Sequence, residues 1–68
     1  MNQTLIYCNT KKRVEELEKI MTDKDFTVSV MHSEMDQLKR DVVMKQFRQG
    51  TIRILITTEF FKRFIDVQ

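Results

Sequence analysis

Three short stretches of this 68-residue chain set hydroxyl or amide side chains just ahead of cations: Asn9-Thr10-Lys11-Lys12-Arg13, then Ser33 and Gln37 before Lys39-Arg40, then Thr57-Thr58 before Lys62-Arg63. The first two sets of cations fall in the opening turn of a predicted helix. That is the end whose free N–H groups and dipole favour anions, so the cations there are misplaced unless something negative is bound. Local rules broken without visible compensation tend to mark functional sites. A phosphate would reconcile them, because backbone N–H groups, an amide, a hydroxyl and basic side chains would converge on it. A row of such places suits a polyanion better than one nucleotide phosphate, since contacts to successive phosphates position a nucleic-acid strand without reading its bases.

Other chemistries fail on counting. A phosphate-cradling P-loop and a dinucleotide fingerprint both need several glycines, and the chain has one. A thiol phosphatase loop separates its cysteine and arginine by about five residues, whereas four lie between Cys8 and Arg13, so Cys8 reads as a buried strand residue. His32 lies in no triad-like context and reads as a hydrogen-bonded turn residue. Asp36, Glu34 and Asp66 read as solvated carboxylates. One cysteine and one histidine build neither a disulfide framework nor a four-ligand zinc site, which implies a reducing, intracellular setting. No run approaches the ~20 apolar residues of a membrane span, and the start resembles no signal peptide, so a membrane partner is not expected. Net charge is only +2, from twelve Lys and Arg against ten Asp and Glu, so placement of charge carries more information than its sum.

These segments need a scaffold that brings them together. Thr4 to Cys8 is an apolar, strand-forming run, and Thr10 can cap the helix that follows. From Lys11 to about Asp23, Val14, Leu17, Ile20 and Met21 recur at spacings of three and four, which predicts one buried face. Phe26 to Met31 alternates as a second strand, and Asp36 is placed to cap a helix from about Gln37 to Gln49. That helix should bury Leu38, Val42, Val43 and Phe47 and stop at a left-handed Gly50. Ile52 to Thr58 is a third strand, and Glu59 to Phe64 forms a final helical turn. The expected fold is α/β: a single domain over residues 1–68 with a three-stranded parallel sheet in β-α-β-α-β order, right-handed crossovers and a short C-terminal helix. Strand order 2-1-3 is expected. Ligands of such sheets bind beyond the carboxyl ends of the strands, where the three basic turns gather. Tyr7, Phe26, Phe47, Phe60, Phe61 and Phe64 could stack on bases, but they read as core or as a face awaiting a partner. The five methionines read as packing filler.

Taken in order, these segments resemble the second RecA-like domain of the DEAD-box RNA helicases, most closely the subfamily of eukaryotic translation initiation factor 4A. Leu5 to Thr10 matches motif IV, and Phe26 to Met35 matches the strand and turn usually ending His-Gly-Asp-Met. Gln37 and Arg40 match the following Q-x-x-R, and Arg53 to Thr58 through Ile65 to Gln68 matches motif V. The resemblance implies that Asn9, Thr10, Gln37, Arg40 and Thr58 hold the backbone of single-stranded RNA, with Arg63 in support. Lys12 joins them from the dipole argument. It also implies that Asp66 faces the ribose of ATP when two helicase domains close.

The chain departs from the family pattern at Ser33 and Phe64, where glycine is usual, and phenylalanine permits neither unusual backbone angles nor close approach. The arginine-rich motif VI and the first domain, with its ATP-binding loop, are not among these residues. The resemblance therefore implies a truncated helicase C-terminal domain that binds RNA backbone. No hydrolysis or cofactor is expected of it alone, while ATP and magnesium are expected in an intact parent of the cytoplasm or nucleus. The rival expectation is an inactive minimal folding unit or engineered fragment, serving as a scaffold or protein-interaction module.

Overall fold

The computed structural model describes residues 2–66, apart from the side chain of Asp66. Strand β1 (Thr4–Cys8) leads into helix α1 (Lys11–Asp23), then β2 (Ser29–Met31), α2 (Gln37–Gln49) and β3 (Ile54–Thr58); a 3-10 turn (Glu59–Phe61) then runs into α3 (Lys62–Asp66). The three strands are parallel, but their order is β1-β3-β2, not the expected 2-1-3. The reason lies in β3 itself. Leu55, Ile56 and Thr57 are each fully buried, so both faces of this strand need cover and both edges need a paired neighbour, a requirement only the central position meets.

Strand alternation divides the apolar residues between two layers. On one face Leu5, Tyr7, Met31 and Leu55 meet Val43, Met44 and Phe47 of α2, with Phe61 and Ile65 closing the end. On the other face Ile6, Cys8, Val30, Ile54 and Ile56 meet Val14, Leu17 and Met21 of α1. The helices therefore cover opposite faces of a sheet whose strands all end at one rim, where Cys8 aligns with Thr58 and Met31 with Thr57.

The helix boundaries have local causes. Thr10 caps α1 by accepting a 3.1 Å hydrogen bond from the Arg13 N–H. Gly50 ends α2 at φ 81°, a left-handed angle that a Cβ would disfavour. Asp36 occupies the cap position of α2, yet its side chain makes no cap hydrogen bond. β2 and β3 are shorter than expected, because only Ser29–Met31 and Ile54–Thr58 have partners in register.

Two apolar stripes also differ from expectation. Ile20 is exposed on α1, and Leu38 (79% exposed) and Val42 (53%) are exposed on α2. The face that α2 turns to the core is Arg40, Val43, Met44 and Phe47, an i, i+3, i+4, i+7 set headed by a cation. Counting apolar residues alone therefore rotates this helix away from its true setting.

Candidate nucleic-acid interface

The three strand-to-helix turns open on the same rim, as parallel strands in this register require. Each turn is also tied to the other two by a side-chain contact. Lys11, at the start of α1, forms a 2.8 Å ion pair with Glu34 in the second turn. The Arg40 guanidinium lies 5.6 Å from the centre of the Phe61 ring, joining the second turn to the third. The Lys62 ammonium lies 5.6 Å from the centre of the Tyr7 ring, joining the third to the end of β1.

Arg40 is the best-organised cation of the rim. Its Nη2 donates to Gln37 Oε1 at 2.8 Å, and its Nη1 reaches the Ser33 carbonyl at 3.4 Å. The Gln37 amide nitrogen in turn donates to Asp41 Oδ1 at 2.8 Å. The chain thus holds the Gln37 side chain at both ends and leaves the guanidinium with no carboxylate in its ion-pairing range among the described residues. A fixed planar fork with donors to spare is suited to a phosphate.

The first turn is less hungry for anions than its sequence suggests. Lys11 is taken by Glu34, and Arg13 lies 3.4 Å from Glu16 one turn along α1. Hydrogen bonding to Lys11 holds the Glu34 carboxyl below its ordinary range, and the same bond raises the Lys11 ammonium. Of the three first-turn cations, Lys12 alone forms no ion pair among the described residues. It stands beside exposed Asn9 and Thr10, with the Thr10 hydroxyl engaged as a cap.

Alternation along β3 separates its two threonines. Thr57 is fully buried, and its hydroxyl donates to the Met31 carbonyl at 2.8 Å, so it serves the sheet. Thr58 is half-buried at the rim and precedes the 3-10 turn with no side-chain cap bond. Arg63 is exposed on α3 with its guanidinium 5.5 Å from the Phe64 ring centre. The ribose contact expected of Asp66 falls on a side chain outside those described.

Cys8 is buried in β1, as expected. His32 is buried too, with Nε2 3.8 Å from Glu15, while Nδ1 has no hydrogen-bond partner among the described residues. Of the phenylalanines read as core or as a face awaiting a partner, Phe61 is buried in the core, while Phe60 (60%) and Phe64 (50%) face solvent. The described residues contain no cluster of three or more His, Cys, Asp or Glu able to hold a metal ion, and no helix long and apolar enough to cross a membrane. The links Lys11–Glu34, Arg40–Phe61 and Lys62–Tyr7 escaped sequence reasoning, since each joins residues far apart in the chain and from different elements or loops.

A family model for the helicase conserved C-terminal domain matches residues 1–68. The chain belongs to that family. This helicase C-terminal domain is 56% identical over 66 residues to eukaryotic initiation factor 4A of Cryptosporidium parvum, a match covering 97% of the chain and 16% of the relative. It is 52% identical over 68 residues to the ATP-dependent RNA helicase eIF4A of Schizosaccharomyces pombe, covering 100% of the chain and 17% of the relative. Its fold matches the C-terminal domain of the DEAD-box protein Dbp5 with a TM-score of 0.83 at 30% identity, over 98% of this chain and 37% of the other. S. cerevisiae Dbp5 bound to RNA and ADP BeF3 matches with a TM-score of 0.80 at 30% identity, over 84% of this chain and 15% of the other. The DEAD-box, RecA-like assignment expected from the motifs is met in both sequence and fold. The helicase C-terminal domain spans about a sixth of the length of the curated relatives it matches, 16% and 17% in these two.

Proposed function

We propose that this domain supplies the single-stranded RNA backbone-binding surface of an ATP-dependent RNA helicase of the translation initiation type, and that the chain alone binds RNA without hydrolysing ATP. The observation that carries the reading is Arg40, held by Gln37 and Phe61 at a rim shared by all three turns, with no carboxylate neutralising it among the described residues. Arg40 and Gln37 would bind one phosphate, Asn9, Thr10 and Lys12 a second, and Thr58 with Arg63 a third. Backbone N–H groups would serve the capped Thr10 site. Support also comes from the fold likeness to Dbp5 bound to RNA and ADP BeF3. Such contacts position a strand and carry little sequence preference.

ATP and magnesium would enter with a second helicase domain, the expected partner. Asp66 would face the ribose of the nucleotide, while the phosphates would need a glycine-rich loop that one glycine cannot build. The intact protein would act in the cytoplasm or nucleus. Exposed Leu38 and Val42 favour a second reading, a scaffold or protein-interaction module. Amide chemical-shift mapping during titration with a ten-nucleotide oligouridylate separates the two. Shifts gathered at Asn9, Thr10, Gln37, Arg40 and Thr58 support the RNA surface, whereas no shifts at the rim would reject it.

A further inference from the structure

A groove lies beside the proposed phosphate-binding rim. It lies between α2 and the segment Phe60 to Phe64, has a volume of about 670 Å³, and shares Gln37 and Arg40 with the rim. We propose that it is a stacking site for one unpaired nucleobase of the bound RNA strand, an inference that rests on the backbone-binding reading above.

Three observations carry it. Phe60, Phe61 and Phe64 form a compact aromatic cluster, with ring centres 5.1, 5.9 and 6.2 Å apart in the three pairings. Phe61 is the buried anchor, and Phe60 and Phe64 remain at least half exposed, so two ring surfaces reach the groove from a fixed base. The second observation is charge. Arg40, Lys45 and Arg48 line the groove against Asp41 alone among its acidic neighbours, which suits an aromatic group carried on a polyanion. Third, the Arg40 guanidinium already lies over Phe61, so the phosphate fork and the aromatic floor belong to one assembly.

A nucleotide whose phosphate meets Arg40 would carry its base toward this groove. Stacking on an aromatic face is tolerant of sequence because every base offers a π-surface, and Arg adds a cation–π contribution. The site would hold one base and confer at most a modest purine preference through the larger stacking area.

The test compares oligouridylate with an abasic ribose-phosphate oligomer of equal length and charge, titrated against the full 68-residue chain and its F60L and F64L variants. The expected result is about tenfold weaker binding of the abasic strand, in the range of one base–aromatic stack. F60L and F64L should each narrow that difference while leaving the salt dependence unchanged. Circular dichroism of both variants checks that the fold persists, and both rings are exposed enough to make loss of folding an unlooked-for result. Equal binding of the two strands overturns the stacking site and leaves the backbone reading standing. Failure of both strands to bind overturns both. Self-association through the aromatic patch, seen as a concentration-dependent sedimentation coefficient that RNA does not reverse, also overturns it.

Discussion

The Lys11 ammonium meets the Glu34 carboxylate at 2.8 Å, so the opening turn of α1 is joined to the loop before α2 by an internal anion at a place where an RNA phosphate could sit. On the proposed reading, this carboxylate would compete with an RNA phosphate for Lys11. It also offsets the repulsion among basic turns when no ligand is present.

Replacing that carboxylate releases Lys11. Glu34→Gln is expected to strengthen binding of single-stranded RNA by about threefold at low salt and to steepen the slope of log affinity against log salt by about 0.7, the value of one further phosphate contact on a single strand. Fluorescence anisotropy over a range of salt concentrations measures both quantities. Weaker binding would mean that Glu34 organises the rim and does not compete for it.

The same pair sets a pH dependence with a definite sign. Glu34 titrates below its ordinary range because Lys11 hydrogen-bonds its charged form, so its contribution is present at neutral pH and is lost as pH falls through that lowered value. Lys11 titrates above its ordinary range, so its side of the link holds through neutral pH and is lost only as strongly alkaline pH passes the raised value. NMR titration of the Glu34 side-chain carbonyl carbon should therefore give a midpoint below that of a free glutamate, and Lys11→Met should return it to the ordinary range. Glu34 is exposed and Lys11 partly so, so salt should shrink the difference.

At Arg40 the issue is geometry as well as charge. Arg40→Lys keeps one positive charge but loses the fork that reaches Gln37, Ser33 and the Phe61 face. RNA affinity is expected to fall about twentyfold, within the range of one hydrogen bond to a charged group, while the salt slope stays near its original value. If lysine restored full affinity, Arg40 would be acting only as a point charge.

Neighbouring threonines on β3 should respond in opposite ways. Thr57→Val removes a buried hydroxyl that donates to Met31. It is expected to cost about 1 kcal/mol, or ~4–8 °C in Tm for a domain of this size, with little change in RNA binding. Thr58→Val should leave the thermal midpoint nearly unchanged and weaken RNA binding. Paired melting and binding measurements would expose a reversed assignment.

Reading the sequence located the three strands and the two long helices, because strand alternation, helical spacing, the Thr10 cap and Gly50 act over a few residues, whereas the single turn expected over Glu59 to Phe64 is a 3-10 turn followed by a helix reaching Asp66. Relations between elements were harder to read. Strand order depends on which strand needs cover on both faces, and Thr57 and Thr58 look equivalent until the pleat assigns them to different surroundings. At α2, the apolar count gives Val43 and Phe47 correctly but adds the exposed Leu38 and Val42 in place of Met44, which packs on the core beneath Arg40. The basic turns were visible from their composition, but not the partners that Glu34 and Glu16 provide for two of their cations.

The rotation of α2 is itself testable. Leu38→Gln should change stability by no more than about 0.5 kcal/mol, as expected at an exposed position. Met44→Ala, which removes a side chain packed on the core, should cost about 1–3 kcal/mol, less than a fully buried residue would. Urea denaturation compares them, and equal losses would place Leu38 in the core.

The most direct test of the central claim is the affinity of the chain for a short single-stranded RNA measured between low and moderate salt, alongside the K12A/R40A double variant. Three phosphate contacts predict a slope near −2, about 0.7 for each contact, and the double variant should bind more weakly with a slope shallower by about 1.4. An affinity that ignores salt, or that the double variant leaves unchanged, would contradict a backbone-binding rim.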